Sequence, residues 1–496
     1  MVEHRTVAPV VAGSIPVTHP KSISHLSFVI GTSVLWTLLL IAAAAVRWPG
    51  LGTDLWLDEL WARRMAIAMP SAFTTFTLHH EVNHYLTTIW FYMTGPDASA
   101  LIYRLPSFAA GVASVAVAGL IGRRRSAATA VFAMVLTASS YELIVFSSEA
   151  RGYSIAVLCT LLSFLLLDLH FERPRRWTFG AYAFIASIGL LTQPVFATVL
   201  AAASAWSAVE WWCAKPRSAA SAWRTGAPQL LPLTALAALY FGDLRHVVSG
   251  GGTGITSFFD AYVTGLAWSL GAPDPATFRV AVAIVAAVVI LAGAHVASVA
   301  SKGAAVFFIG AIVIFPNVAI VLRGSEMVYT RHFLLGSVLT LVLLAYLLGW
   351  MWDMGRASRF SAGAAVLLFI TANGLHLQTF LERGRGKYQE AILFMADRTA
   401  GPVTIAADHD FRVGLELDYY LKRVLGSRPA AFIPEGAWPR GGPAWIVANA
   451  DHYEAPALPH SVYEDAAGNQ YELVRTVPTS PLTGLHWFLF RNRAPH

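Results

Sequence analysis

The sequence predicts an α-helical polytopic membrane protein with about eleven spans, followed by a small soluble α/β domain on the outer side. Composition is the first reason: 56% of the 496 residues are apolar and only 13% are charged, against roughly 25% charged in an ordinary soluble domain. The second is the recurrence of apolar runs long enough to cross roughly 30 Å of hydrocarbon. The third is a change of texture at Lys387, where short strand-like segments punctuated by proline and glycine replace the long runs.

In chain order, spans are expected near 25–46, 101–121, 126–146, 153–171, 178–192, 195–212, 226–241, 280–300, 304–322, 332–352 and 361–380. Basic residues set their direction. Arg123 to Arg125, then Arg173, Arg175 and Arg176, then Lys215 and Arg217, then Arg356 and Arg359 fall at alternate turns, which marks those turns as cytoplasmic. The loops 47–100, 147–152, 192–194, 242–279 and 323–331 are then external. An odd number of spans makes 1–24 a cytoplasmic tail and 25–384 the transmembrane module. It leaves 385–496 as a periplasmic or extracellular domain of a multi-pass protein of the inner or plasma membrane. No cleavable signal peptide is expected, because Val46-Arg47-Trp48-Pro49, not a small-residue site, follows the first apolar run.

Within the first outer loop, Leu60 to Met69 and Asn83 to Thr94 are too short to cross and should lie as amphipathic helices in the interface. After Lys387, helices are expected at Gln389 to Arg398 and Phe411 to Arg423. Strands are expected at 402–407, 444–448, 471–476 and 487–492.

Several classes are excluded. The net charge of +6 comes from basic residues scattered over short loops, not gathered on one face, so nucleic acid is not an expected partner. Cys159 and Cys213 lie far apart in or beside apolar runs and read as small hydrophobes. Gly250 to Gly254 has no preceding strand and no following Gly-Lys-Ser/Thr, so it reads as a flexible outer loop and not a phosphate loop.

The chemistry points to the outer loops. Leu55-Trp56-Leu57-Asp58-Glu59 follows the first span directly, and charges so near a bilayer are costly unless they face water or a polar cavity. Asp54, His79, His80, Glu81 and His84 share that loop, and Arg104 opens the second span. Glu149, Arg151 and Tyr153 come from the second outer loop, and Arg323, Glu326, Tyr329, Arg331 and His332 from the last one. This mixture suits attack by a hydroxyl on a carbon bearing a phosphate leaving group. A carboxylate takes the proton, guanidinium forks offset the phosphate charge, and no second carboxylic acid is needed for such a leaving group. His80 and His84 are spaced for one helical face, so a divalent metal stays open beside a substrate-facing role. The His-Glu-x-x-His spacing of a zinc protease is absent.

The order of these motifs carries a resemblance. A first span leads to Asp58-Glu59, then a histidine stretch runs into an aromatic helix. Tyr103-Arg104-Leu105-Pro106-Ser107 opens a span ending in Gly122-Arg123-Arg124, Glu149-Ala150-Arg151-Gly152-Tyr153 follows, and Arg331-His332-Phe333 opens a late span. Over about 25–380 the series resembles the GT-C integral-membrane glycosyltransferases, the group that includes protein O-mannosyltransferases and the lipid A aminoarabinose transferase. The resemblance implies an inverting transfer of sugar from a polyprenyl-phosphate carrier to a lipid, glycan or protein hydroxyl at the outer face, without an obligatory cofactor. It implies Asp58 as general base with Glu59 beside it, and Arg104, Arg151 and Arg331 around the donor phosphate. His84, Glu149 and Tyr153 fall in the same motifs and join the substrate-binding set. Two positions depart from the pattern. Asn83-His84-Tyr85 stands where relatives often carry His-Pro-Pro or Lys-Pro-Pro, and Gln193 stands before Pro194 where many have His. A transporter or flippase of lipid-linked saccharides is the alternative, but transporters tend to carry mid-span charges and repeated halves, and neither is visible here.

Overall fold

The computed structural model describes residues 21–80, 83–247, 258–272, 277–299, 301–323, 328–450 and 461–493. Glu81, Glu326 and Gly250 to Gly254, all singled out above, lie outside them. The first half runs α1 (Lys21–Leu51), α2 (Leu57–Ala68), α3 (Tyr85–Thr94), α4 (Ala100–Arg123), α5 (Ala127–Ser139), α6 (Tyr141–Ser147), α7 (Tyr153–Glu172), α8 (Arg176–Thr192) and α9 (Ala197–Cys213). Then come α10 (Ala219–Gly226), α11 (Leu230–Gly242), α12 (Phe258–Leu270), α13 (Arg279–Ser298), α14 (Lys302–Ile309), α15 (Phe315–Arg323), α16 (Leu334–Asp353) and α17 (Arg356–Arg383).

Every stretch expected to cross contains helix, and the protein is a polytopic membrane protein. Among the described residues seven helical segments are long and apolar enough to span, or eight with α5 and α6 taken as one bent span. That is fewer than the eleven expected. Hydropathy windows run through short tight turns at Pro194–Phe196 and Ala227–Gln229, where the helix proper breaks. These turns leave α8, α9 and α11 at 17, 17 and 13 residues, below the about 20 that a crossing needs.

Two further expectations are corrected. The stretch 126–146 is not straight but bends by 61° between α5 and α6. The bend frees carbonyls at the end of α5, and the buried Arg47 of α1 supplies donors to Thr137 and Ala138 at 3.1 Å each. Asn373 of α17 accepts the Tyr141 N–H at 2.8 Å. The stretch 242–279, expected as loop, holds α12, whose Ala261, Val263, Leu266 and Ala267 are buried against α13 and α16.

Helices in lipid gain little from hydrophobic burial against one another and rely on close packing of small residues. The buried face of α4 is built that way, with Ala110, Gly111, Ser114, Ala118, Gly119 and Gly122. A Cβ at Gly122 would stand 2.6 Å from the Thr129 carbonyl oxygen, so α5 can approach only where α4 has glycine.

After α17 comes a six-stranded sheet of β1 (Val403–Ala407), β2 (Ala430–Phe432), β3 (Trp445–Ala450), β4 (Val462–Glu464), β5 (Gln470–Val477) and β6 (His486–Asn492), with α18 (Tyr388–Asp397) and α19 (Asp410–Leu425). The strand order is β2-β1-β3-β6-β5-β4, parallel in the β2-β1-β3 part and antiparallel beyond. All four expected strands are found, and β2 and β4 are short additions. The core of this unit does not close on itself. Leu55, Trp56, Leu57, Leu60, Ala62 and Ala66 of the α2 region pack in one apolar cluster with Tyr388, Ile392, Met395, Leu417 and Tyr420.

Candidate active site

One end of the helical module gathers the C-termini of α1 and α6, the N-termini of α4 and α7, and the turn 330–333 that leads into α16. The other end carries Arg124 paired with Asp168 at 2.5 Å and Glu172 at 2.8 Å. Since α7 has 20 residues, the two ends stand about 30 Å apart. Of the residues expected from sequence, Asp58, Glu59, His84, Arg104, Glu149, Arg151, Tyr153 and Arg331 collect at the first end, in two layers.

The inner layer is a closed charge network. Glu59 is fully buried and receives both prongs of Arg104, Nε at 2.8 Å and Nη2 at 2.6 Å. It also accepts the Ala150 N–H at 2.7 Å and the Trp56 N–H at 3.3 Å. Burial works to raise the Glu59 carboxyl, but the Arg104 charge and hydrogen bonds outweigh it and hold the group below the ordinary carboxylate range. Arg104 spends its remaining donors on the carbonyls of Gly50, Leu51, Thr53 and Asp54, at 2.7 to 3.1 Å. Glu149, also fully buried, accepts from Thr483 at 2.5 Å and faces Arg385 at 3.5 Å. Burial pushes Glu149 up from the usual carboxylate range, against the pull of Arg385 and Arg151. Glu59, Arg104 and Glu149 are all fully buried, and of their polar side-chain atoms the Glu149 Oε2 alone has no hydrogen-bond partner among the described residues.

The outer layer is open. Asp58, on the first turn of α2, stands 2.7 Å from Arg151 Nη1 and 3.5 Å from Arg331 Nη1 through one carboxylate oxygen, Oδ2. Arg151 is 3% exposed and Arg331 25%, so Arg151 is fixed while Arg331 faces the solvent side. Arg151 lies over the Tyr153 ring at 4.8 Å and the Trp56 ring at 5.9 Å, and Arg331 over Tyr329 at 4.0 Å. Such faces attract a guanidinium through the ring quadrupole without neutralising it. His84 Nε2 sits 3.4 Å from Arg151 Nη2, and its ring meets Tyr153 edge-on at 5.4 Å. Burial, then the charges of Arg151 and Arg331, hold His84 well below its ordinary value, so it is a neutral imidazole.

With His84 neutral, two guanidiniums face one carboxylate, leaving one positive charge in excess. Among the described residues the buried Arg151 Nε and Trp56 Nε1 have no hydrogen-bond partner, while His84 is held by the Gln193 side chain and the Thr192 backbone. Donors without acceptors beside surplus positive charge are the makings of an anion site.

Local sequence explains the placement. Gly152 lets α7 start against α8, because a Cβ there would run into the Thr192 carbonyl; this brings Arg151 and Tyr153 onto the site. The histidine stretch disperses. His79 pairs with Asp243 at 2.8 Å, His80 packs edge-on to Trp61 at 4.4 Å, and only His84 reaches Arg151. Among the described residues no three His, Cys, Asp or Glu side chains gather at metal-binding spacing. Four participants beyond the last span escaped the sequence reading: Arg385 and Thr483 beside Glu149, and Gln389 and Tyr420, which bond the Asp54 carboxylate and the Leu55 carbonyl. The one available signal was Gly384-Arg385-Gly386, an arginine between glycines at φ 62° and 118°.

In class, then, this is a polytopic membrane protein with a carboxylate and a surplus of guanidinium charge at one end of its helices. Two solved structures similar to it cover 92% of this chain and 98% of their own, both of ArnT from Cupriavidus metallidurans. One is the apo state, 12% identical with a TM-score of 0.49. The other is the form bound to undecaprenyl phosphate, 14% identical with a TM-score of 0.35. No family model matches the sequence, and no curated protein matches it.

Proposed function

We propose that the protein is an inverting membrane glycosyltransferase of the GT-C kind, moving a sugar from a polyprenyl-phosphate carrier to a hydroxyl acceptor at the outer face of the membrane. The observation that supports this best is the triangle of Asp58, Arg151 and Arg331, with unsatisfied N–H groups around it. The acceptor oxygen attacks the anomeric carbon while its proton passes to Asp58. The bond from that carbon to the phosphate oxygen breaks on the opposite face, and the electron pair leaves with the phosphate. Arg331 and Arg151 offset the charge that builds there.

The 3.5 Å contact gives Arg331 a second part. In the free protein it shares Asp58 with Arg151, and a phosphate at headgroup depth competes for it. Donor binding therefore draws Arg331 off the carboxylate and frees one side of Asp58 Oδ2 to meet the acceptor hydroxyl. His84 and Tyr153 seat Arg151. Glu59, Arg104 and Glu149 hold the frame and take no part in bond making.

The test is turnover and lipid affinity in two variants of the full chain. Asp58→Asn keeps shape but removes the base, so sugar transfer from polyprenyl-phosphate donors should fall by roughly 10²–10⁴. Its affinity for undecaprenyl phosphate should be unchanged or tighter, since Arg331 is released. Arg331→Lys should weaken that affinity, because an ammonium cannot reproduce a two-pronged contact. Normal transfer by Asp58→Asn would falsify the assignment.

A further inference from the structure

The segment from Gly50 to Leu57 delivers Asp58 and is held from two sides, by Arg104 of α4 and by residues from far along the chain. Gln389 gives two hydrogen bonds to the Asp54 carboxylate, from its backbone N–H at 2.9 Å and its side-chain Nε2 at 2.6 Å. The Tyr420 hydroxyl donates to the Leu55 carbonyl at 3.0 Å. Arg385 donates to the Gly50 carbonyl at 2.9 Å and the Thr53 hydroxyl at 2.6 Å. Tyr420 is buried, and its ring joins the apolar cluster that holds Leu55, Trp56 and Leu57. Asp58 follows Leu57 directly, between that residue and Leu60 of the same cluster.

We propose that Gln389 and Tyr420 are positioning residues for Asp58, holding Asp54 and Leu55 so that the carboxylate stands between Arg151 and Arg331. The C-terminal α/β unit is then part of the catalytic frame, not an appendage to it. This rests on the reading of Asp58 as the base. The physical case is short range. The Leu55 carbonyl is three residues from Asp58, so a shift of that carbonyl is passed through Trp56 and Leu57 to the first turn of α2. A displacement of about 1 Å at a reacting group costs on the order of a hundredfold in rate. Neither residue touches the anion-binding guanidiniums, so losing the grip does not weaken donor binding.

The experiment uses the full chain in lipid nanodiscs with Tyr420→Phe, Gln389→Ala and the double variant, beside Asp58→Asn. Three quantities are read: amide hydrogen exchange over 52–60, affinity for undecaprenyl phosphate, and turnover against KM for transfer. The proposal expects exchange over 52–60 to rise at least tenfold in the double variant while β1 and β3 stay protected. It expects lipid affinity within twofold of the parent, KM little changed, and turnover down by about tenfold to a hundredfold. It is overturned by unchanged exchange and turnover, or by exchange rising across β1 and β3 as well, which marks simple unfolding. A drop in lipid affinity equal to the drop in turnover overturns it too. If Asp58→Asn transfers sugar normally, the reading of the base fails on its own, and the exchange data still report whether the grip exists.

Discussion

At the scale of single residues, two adjacent carboxylates have opposite fates, and the helix explains why. Positions 58 and 59 point about 100° apart around α2. Asp58 therefore meets Arg151 and Arg331 at an opening, while Glu59 turns inward to Arg104 and the Ala150 N–H. Breaking a buried ion pair by removing one charge costs about 3–5 kcal/mol. Glu59→Gln leaves Arg104 without a countercharge and sets an amide NH₂ against N–H donors. It should sharply lower the thermal midpoint and the yield of folded protein, whereas Asp58→Asn, at a pair that opens to solvent, should lower both less. Thermal unfolding of the two purified variants side by side decides it, and equal midpoints would place both carboxylates in the same layer.

At the scale of elements, α19 and α2 are joined by a carboxyl group that burial controls. Glu416 is fully buried, and its carboxyl accepts the Trp487 indole N–H at 3.0 Å. Burial pushes it well above the usual carboxylate range, with Trp487 and the Leu57 backbone opposing. The folded pKa exceeds the unfolded one, so the folded state binds the extra proton. Its contribution is complete below the unfolded value and is lost as pH rises through the folded one, at about 1.4 kcal/mol for each pH unit between the two. Glu416→Gln keeps an acceptor for Trp487 and cannot ionise. Its thermal midpoint should match the parent near pH 5 and exceed it increasingly toward pH 8. A constant difference across that range would show that Glu416 does not titrate with unfolding. Elements were also where sequence reading strained most. The α5–α6 bend depends on Arg47 and Asn373 arriving from α1 and α17, and no periodicity within 126–146 announces them. The helix at 258–270 is only 13 residues long, and it is buried by neighbours that a linear window does not see.

For the molecule as a whole, the charge pattern and the site make one claim about sidedness. Arg124 and its partners lie at one end of the helices and Asp58 at the other, so the proposed orientation, with the basic turns inside, requires Asp58 to be outside. The α/β unit is fastened to the Asp58 end through Arg385, Gln389, Tyr420 and Thr483, and it follows Asp58 to that side. Tags on both termini, probed by protease in intact cells, should show the C-terminal tag cut and the N-terminal tag protected. Protection of both, or cutting of both, would contradict the orientation.

Sequence alone determined the membrane class, the two helices and four of the six strands after Lys387, and the wider pool of charged outer-loop residues to which Asp58, Arg151 and Arg331 belong. It could do so because hydropathy, strand alternation and charge beside a span are local properties that each segment carries with it. Tertiary structure alone decided which charges are spent. Arg104 and Glu149 look as available as Arg151 when read along the chain, yet burial pairs them with Glu59, Thr483 and Arg385. It also decided that α2 shares its core with a unit more than 300 residues later, through contacts such as Tyr420 to Leu55 at a separation of 365. Pairing and burial depend on which surfaces meet after the helices pack, and composition, period and spacing hold no record of that.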